Sequence, residues 1–132
     1  MKFYIAGSIS KKDLVKKIHD FVTSRGHTYT SDWVKEKVIT PYKENKKASS
    51  LRAEKCLDSI NFSDVFVLIS DESGTGMYIE LGVALQLAET KNKPQIYVIG
   101  EYNTRSVFFF HPLIKRLENI EHVLEDLKAE KS

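Results

Sequence analysis

Five consecutive apolar residues, VFVLI at 65–69, limit the fold of this chain more than any other segment. A strand with one solvated face alternates apolar and polar residues, whereas a short unbroken apolar run is typical of a central parallel strand buried on both faces. Parallel strands need crossover connections, which are usually helices. VFVLI therefore predicts an α/β fold with helices on both faces of the sheet.

The rest of the chain supplies the strands and helices that such a sheet needs. Besides VFVLIS at 65–70, strands are predicted at 2–6, within HTYTSDW and in QIYVIG, with a weak fifth strand between 113 and 120. Helical periodicity covers residues 13–26, 48–62, 77–90 and 120–129, and a loop or lid is predicted for 34–47. The order predicts a flavodoxin/Rossmann-like three-layer sandwich whose mostly parallel sheet has four to five strands.

Composition limits the size, compartment and partners of the protein. The 132 residues are 42% hydrophobic and 29% charged, which predicts a single domain over residues 1–132. Twenty basic against 18 acidic residues, spread along the chain, argue against a nucleic acid polymer as partner. Cys56 is the only cysteine, so no internal disulfide is possible and a reducing cytoplasm is expected. The scattered histidines predict no metal site.

Two polar turns should meet at the carboxyl edge of the sheet, where ligands bind in such folds. GSIS, with Gly7, Ser8 and Ser10, follows the first strand, and DESGTG, with Ser73, Gly74 and Gly76, follows VFVLI. A helix that begins after glycines exposes N–H groups that favour a phosphate or carboxylate. Neither turn is a P-loop or a dinucleotide fingerprint, and no cofactor is predicted. For DESGTG, helix capping by Ser73 and Thr75 is an equally weighted alternative, and for GSIS, capping by Ser8 and Ser10 is the more common role of such a turn alone.

Three further features have both a functional and a structural interpretation. Trp33 could stack on a nucleobase and Asp32 could accept from a sugar or base, although Trp33 as a core anchor is favoured about two to one. The lysine-rich segment 35–47 could attract a phosphate or merely be solvated. The apolar run Phe108–Phe110 cannot face one core with all three rings, which predicts a homodimer or higher homo-oligomer.

The N-terminal apolar run is too short to predict a signal peptide or a membrane span.

Three segments together resemble the nucleoside 2-deoxyribosyltransferase superfamily, which includes deoxynucleoside 5′-monophosphate N-glycosidases. They are FYIAGSIS, SDVFVLIS and SGTGMYIELGVAL, in the order and spacing of that superfamily. The resemblance implies the predicted fold, a nucleoside or nucleoside 5′-monophosphate as ligand, and a reaction at the N-glycosidic bond. It leaves open whether the reaction is transfer or hydrolysis.

The resemblance also implies roles for individual residues. Glu80 matches the nucleophilic glutamate, and Tyr4 matches the tyrosine that positions it. Ser8 matches a sugar- or phosphate-contacting serine, Ser73 matches another after a shift of one residue, and Ser106 matches one supplied across a dimer interface.

Cys56 departs from the superfamily pattern, because it aligns with the aspartate that protonates the leaving base. A thiol is a poor general acid for this purpose. Either Asp58, Asp32 or Glu54 replaces it, or hydrolytic activity is lost. The sequence therefore predicts an N-glycosidic-bond enzyme, with a catalytically inactive nucleotide-binding or sensing domain as the alternative.

Overall fold

The computed structural model describes residues 1–131 and contains five strands and four α-helices. The strands are β1 (Lys2–Ala6), β2 (Thr28–Tyr29), β3 (Val65–Ile69), β4 (Gln95–Ile99) and β5 (Ile114–Leu117). The helices are α1 (Lys12–Ser24), α2 (Lys46–Asn61), α3 (Gly76–Lys91) and α4 (Ile120–Glu130). Short 3-10 helices occupy Ile9–Lys11, Trp33–Lys35, Tyr42–Glu44 and Val107–Phe110.

All five strands are parallel and lie in the order β2-β1-β3-β4-β5. The predicted three-layer α/β fold is confirmed, and the weak fifth strand is present. The chain reverses the direction in which it adds strands between β1 and β3. Loops diverge at such a position and leave a crevice outside the carboxyl ends of the strands. GSIS and DESGTG follow β1 and β3, so both predicted turns flank this crevice.

Each face of the sheet is covered by one pair of helices. α1 and α4 pack on the face that carries Phe3 and Ile5. α3, together with Ile60 of α2, packs on the face that carries Tyr4 and Ala6. Side chains of a strand alternate between faces, so neighbouring residues of β1 contribute to two separate cores. Tyr4 is thereby directed toward α2 and α3.

The second strand is shorter than HTYTSDW suggests. β2 pairs with β1 only through Thr28 and Tyr29. The indole N–H of Trp33 then donates to the carbonyl oxygen of Ile5 at 2.8 Å, so a side chain satisfies a β1 carbonyl beyond the end of β2. The alternating pattern of HTYTSDW therefore overestimated the length of this strand. The chain leaves the sheet after Tyr29, and Trp33 packs against the core instead of continuing the strand.

The three consecutive phenylalanines at 108–110, the aromatic run, do not all face the core, as expected for adjacent residues. Phe109 is buried, whereas Phe108 and Phe110 are exposed.

No helix within residues 1–131 is both long enough and apolar enough to span a bilayer.

Candidate active site

A tyrosine and a glutamate from distant parts of the chain form the centre of the candidate site. Tyr4 on β1 donates its hydroxyl hydrogen to Oε2 of Glu80, which lies on the second turn of α3. The tyrosine ring is buried and stacks on Phe66 of β3, with ring centroids 5.6 Å apart and nearly parallel planes. Packing thus fixes the position of the phenol, and the phenol orients the carboxylate.

Burial controls the ionisation of both groups. Desolvation raises the pKa of Glu80 to about 7, and the hydrogen bond from Tyr4 opposes that shift. Burial, followed by the nearby Glu80 carboxylate, raises the pKa of Tyr4 far above its ordinary range. Tyr4 therefore stays a neutral donor at physiological pH, whereas Glu80 is divided between its neutral and ionised forms near pH 7.

Cys56 lies beside this pair. Its thiol, on α2, is half-buried and contacts the Tyr4 hydroxyl close to the Glu80 carboxylate. Burial, and then the charge of Glu80, raises the pKa of Cys56, so the thiol is protonated. The structure therefore brings Cys56 to the site, while Asp58 and Glu54 are exposed elsewhere on α2. A sulfur occupies the place next to the tyrosine–glutamate pair that the alignment gave to an acid.

The raised pKa of Glu80 predicts a pH-dependent difference in stability between the native protein and Glu80→Gln. The free energy of ionising Glu80 is higher in the folded state, because its pKa rises from 4.5 to about 7. The native protein therefore loses about 3 kcal/mol as pH rises from below 4.5 to above 7. Glutamine keeps an acceptor for Tyr4 and does not ionise. Urea unfolding should find the stability gain of Glu80→Gln about 2 to 3 kcal/mol larger at pH 8 than at pH 5.

The matched control for this measurement is Glu125→Gln on α4, where the glutamate is exposed. Its stability relative to the native protein should change little between the two pH values. Parallel pH profiles for native protein and Glu80→Gln would contradict a largely desolvated, hard-to-ionise carboxylate at position 80.

Asp71, which the sequence analysis did not single out, connects the two polar turns at the carboxyl edge. The Ser8 hydroxyl donates to its Oδ2 at 2.8 Å, and the N–H groups of Glu72 and Ser73 donate to its Oδ1 at 2.7 and 3.4 Å. The hydrogen bond from Ser8, followed by those N–H groups, outweighs desolvation and lowers the pKa of Asp71. An aspartate directly after a strand, followed by Ser-Gly, is common in turns and did not by itself indicate a site.

The hydroxyls and glycines predicted for this edge are close to Asp71. Ser8 Oγ and Ser10 Oγ lie 2.8 Å apart, and Ser8 caps no helix through its side chain. Gly74 has a φ of +97°, and a Cβ there would lie 3.0 Å from Met77 Cε, so the turn requires glycine. Ser73 and Gly76 are exposed, and Gly76 begins α3.

Trp33 and Asp32 are not brought to the tyrosine–glutamate pair. Trp33 packs against the core on the α1 and α4 face, opposite Tyr4. Asp32 forms an ion pair with Lys35 at 3.0 Å. The favoured interpretation of Trp33 as a core anchor fits this position, and a base stacked on Trp33 would lie on the face of the sheet away from Glu80.

A cavity of about 450 Å³ runs along α3 beside the aromatic run. Its lining includes Tyr78, Leu85, Arg105, Ser106 and Phe108. The Ser106 hydroxyl accepts from the Phe108 N–H at 3.2 Å and caps the 3-10 helix there. Among the hydrogen bonds of residues 1–131, the Ser106 side chain therefore has none with Glu80 of its own chain.

Comparison with known proteins identifies the fold. No protein-family model and no curated protein sequence matches the chain. Among solved structures, the chain is similar to the CMP N-glycosidase BcmB of Clostridium botulinum, with a TM-score of 0.54 and 17% identity over 98% of this chain and 99% of that one. The two chains share one fold. The fold implied by the superfamily resemblance is thus confirmed.

The part of the chain that the structure describes, residues 1–131, holds no group of three or more His, Cys, Asp or Glu side chains close enough to bind a metal ion. The groups gathered at the candidate site are a carboxylate, a phenol, a thiol and, at the edge, hydroxyls with a second carboxylate. Covalent and acid–base chemistry are the reactions that such groups support directly.

Proposed function

We propose that the chain acts on the N-glycosidic bond of a nucleoside or a nucleoside 5′-monophosphate, with Glu80 as the nucleophile. The observation that carries the proposal is the part-buried tyrosine–glutamate pair at the start of α3, beside the crevice between β1 and β3. A carboxylate that is oriented by a fixed phenol and only partly solvated is suited to attack a carbon that gains positive charge.

The reaction would proceed in two displacements. An oxygen of ionised Glu80 forms a bond to C1′ of the sugar, while the C1′–N bond breaks and its electron pair leaves with the base, which takes up a proton. Water, or a second base, then attacks C1′ and releases the Glu80 carboxylate. Water as acceptor gives hydrolysis, and a base as acceptor gives sugar transfer. Tyr4 keeps its proton throughout and holds Glu80 in line.

Protonation of the leaving base is the weak step in this chain. The Cys56 thiol is a proton donor in contact with the Tyr4 hydroxyl and close to Glu80. A thiol of raised pKa holds its proton at neutral pH and gives it up reluctantly. The proposal therefore favours substrates whose base leaves without strong acid assistance.

Base release is the direct test of this function. Nucleosides and their 5′-monophosphates, in ribose and 2′-deoxyribose forms, are incubated with the protein and separated by chromatography. Free base from any of them supports the proposal. The same panel with a second free base distinguishes hydrolysis from exchange.

A second candidate function is a nucleotide-binding or sensing domain without turnover. Cys56 beside Glu80 is the observation that favours it, because the site then lacks a carboxylic acid for the leaving base. Under this alternative, calorimetry detects binding of a member of the panel while chromatography detects no free base or exchange.

We also propose that the chain forms a homodimer through α3 and the aromatic run. Ile79, Val107, Phe108 and Phe110 leave large apolar surfaces uncovered, and Ile79 and Phe108 are 67% and 65% exposed. Of these residues, Phe108 lines the cavity along α3, and Ile79 lies on α3 itself. A second copy seated there would cover the apolar surface. It would also carry Ser106 toward the neighbouring site.

Sedimentation at micromolar concentration should therefore report a dimer or a higher oligomer. Phe108→Glu should shift the protein toward monomer, because a charge would be buried in the interface. Phe62→Glu is the matched control, since Phe62 is 63% exposed but follows α2 at the opposite edge of the sheet. A monomeric native protein, or equal dissociation by both variants, would contradict this interface.

A further inference from the structure

The anion-binding groups at the carboxyl edge are already occupied by a carboxylate of the chain itself. Asp71 is only 7% exposed, and it accepts from the Ser8 hydroxyl and from the N–H groups of Glu72 and Ser73. Free hydroxyls and backbone N–H groups before a helix are the usual donors to a phosphate. Here the same types of donor hold a fixed negative charge.

The turn that contains Asp71 is held in place on its other side as well. The backbone carbonyl of Asp71 accepts from the Tyr78 hydroxyl at 2.7 Å and from Nη1 of Arg105 at 2.8 Å. The charge of Lys11 contributes to the lowered pKa of Asp71. A ligand that displaced this carboxylate would therefore have to break three hydrogen bonds and move a turn that is anchored from both sides.

Asp71 lies in the turn that leads into the helix that carries Glu80. Glu80 is four residues, about 6 Å of helix axis, beyond the start of α3, and the Asp71 turn comes directly before that start. Under the proposed function, Cys56 on α2 is the proton donor beside Glu80, so the leaving base would lie on the α2 side of Glu80. A sugar whose C1′ faces Glu80 and whose base faces α2 thus points its 5′ end toward Ser8 and Asp71.

We propose that Asp71 is a specificity-determining residue that selects a nucleoside with a free 5′-hydroxyl over the 5′-monophosphate, an inference that rests on the proposed function of this site. A 5′-hydroxyl can donate to the remaining lone pairs of Asp71 and accept from Ser8 or Ser10. A phosphate would meet a like charge at short range in a partly desolvated edge. Repulsion and occupied donors both act against it.

Binding tests this proposal independently of turnover. In the Glu80→Gln background, calorimetry compares each 2′-deoxynucleoside and ribonucleoside with its own 5′-monophosphate. We expect at least one nucleoside to bind at least tenfold more tightly than its monophosphate. Adding Asp71→Asn removes the charge and keeps the shape, and should raise the affinity for the monophosphate at least tenfold while the nucleoside loses only a few-fold.

Asp64→Asn is the matched control, because it removes the same charge at the amino end of β3, where Asp64 accepts from the N–H of Lys2 at 2.8 Å. It should leave the ratio of nucleoside to monophosphate affinity unchanged. A merely structural Asp71 would alter stability without altering that ratio. The comparison with Asp71 intact needs no variant at position 71, so it stands even where Asp71→Asn does not fold.

The outcomes separate the two proposals. Tighter binding of monophosphates by the protein with Asp71 intact, or an unchanged ratio in Asp71→Asn, would overturn the role of Asp71 whether or not native protein releases base. Nucleoside preference without base release would support Asp71 and count against the proposed reaction. Binding of neither ligand class would overturn both.

Discussion

Glu80→Gln is expected to reduce base release by at least about a thousandfold, because glutamine cannot form the glycosyl ester through which the reaction would pass. The amide keeps the size of the side chain and an acceptor for the Tyr4 hydroxyl, which donates to Oε2 in the native protein. Ligand affinity should therefore stay within a few-fold of the native value. Steady-state assays of base release and calorimetry on the same samples measure the two quantities.

Glu89→Gln provides the matched control for that experiment. Glu89 lies on the same helix, and its carboxylate pairs with His111 at 2.7 Å on the surface. Its substitution makes the same change of charge and should leave turnover near the native level. Near-native turnover by Glu80→Gln would contradict a covalent mechanism at this carboxylate.

Cys56→Asp is expected to raise base release from at least one nucleoside or nucleotide by about a hundred- to ten-thousand-fold, the usual value of general-acid assistance. A carboxyl beside Glu80 would share its desolvated surroundings, and two adjacent carboxyls cannot both ionise easily. One of them therefore keeps a proton near neutral pH. An aspartic acid at position 56 would hold that proton where the leaving base needs it.

Cys56→Asn separates the proton from the shape of the side chain, since asparagine is isosteric with aspartate and has no acidic proton. It should give no increase. Asp58→Asn should have little effect, because Asp58 is exposed on α2. An inert Cys56→Asp together with an inactive Asp58→Asn would show that Asp58 is the acid of this chain. Ligand binding without base release in all four proteins would favour the sensing domain.

Local patterns predicted the elements of the sheet well. β1 was predicted as Lys2–Ala6, the bounds that the structure has, and β3 was predicted as VFVLIS, one residue longer than the observed Val65–Ile69. Both strands are specified by apolar residues that adjoin a turn, which is information contained within a few positions. β2 was overestimated, because Trp33 packs against the core and its indole N–H takes the Ile5 carbonyl that a longer strand would have paired.

The candidate site depends on contacts that local patterns do not contain. Tyr4 and Glu80 are 76 positions apart, so only the superfamily resemblance associated them before the structure showed the hydrogen bond. The position of Cys56 beside Tyr4 and Glu80 likewise depends on how α2 packs on α3, which local patterns do not show. Asp71 could not be singled out, because its pairing with Ser8 arises only when the turns after β1 and β3 become neighbours.

The Trp33 side chain, which follows β2 and bonds to β1, also affects how molecules of this protein can associate. An unpaired strand edge invites a strand from another chain, and this drives aggregation. On one side of the sheet, the edge strand is two residues long, and the Trp33 indole occupies the next carbonyl of β1. On the other side, β5 carries Lys115 and Arg116, and Lys115 is held by Asp126 at 2.8 Å. Both edges therefore discourage continuation of the sheet into a neighbouring molecule. The dimer that we propose would accordingly form through α3 and the aromatic run at 108–110, not through the sheet.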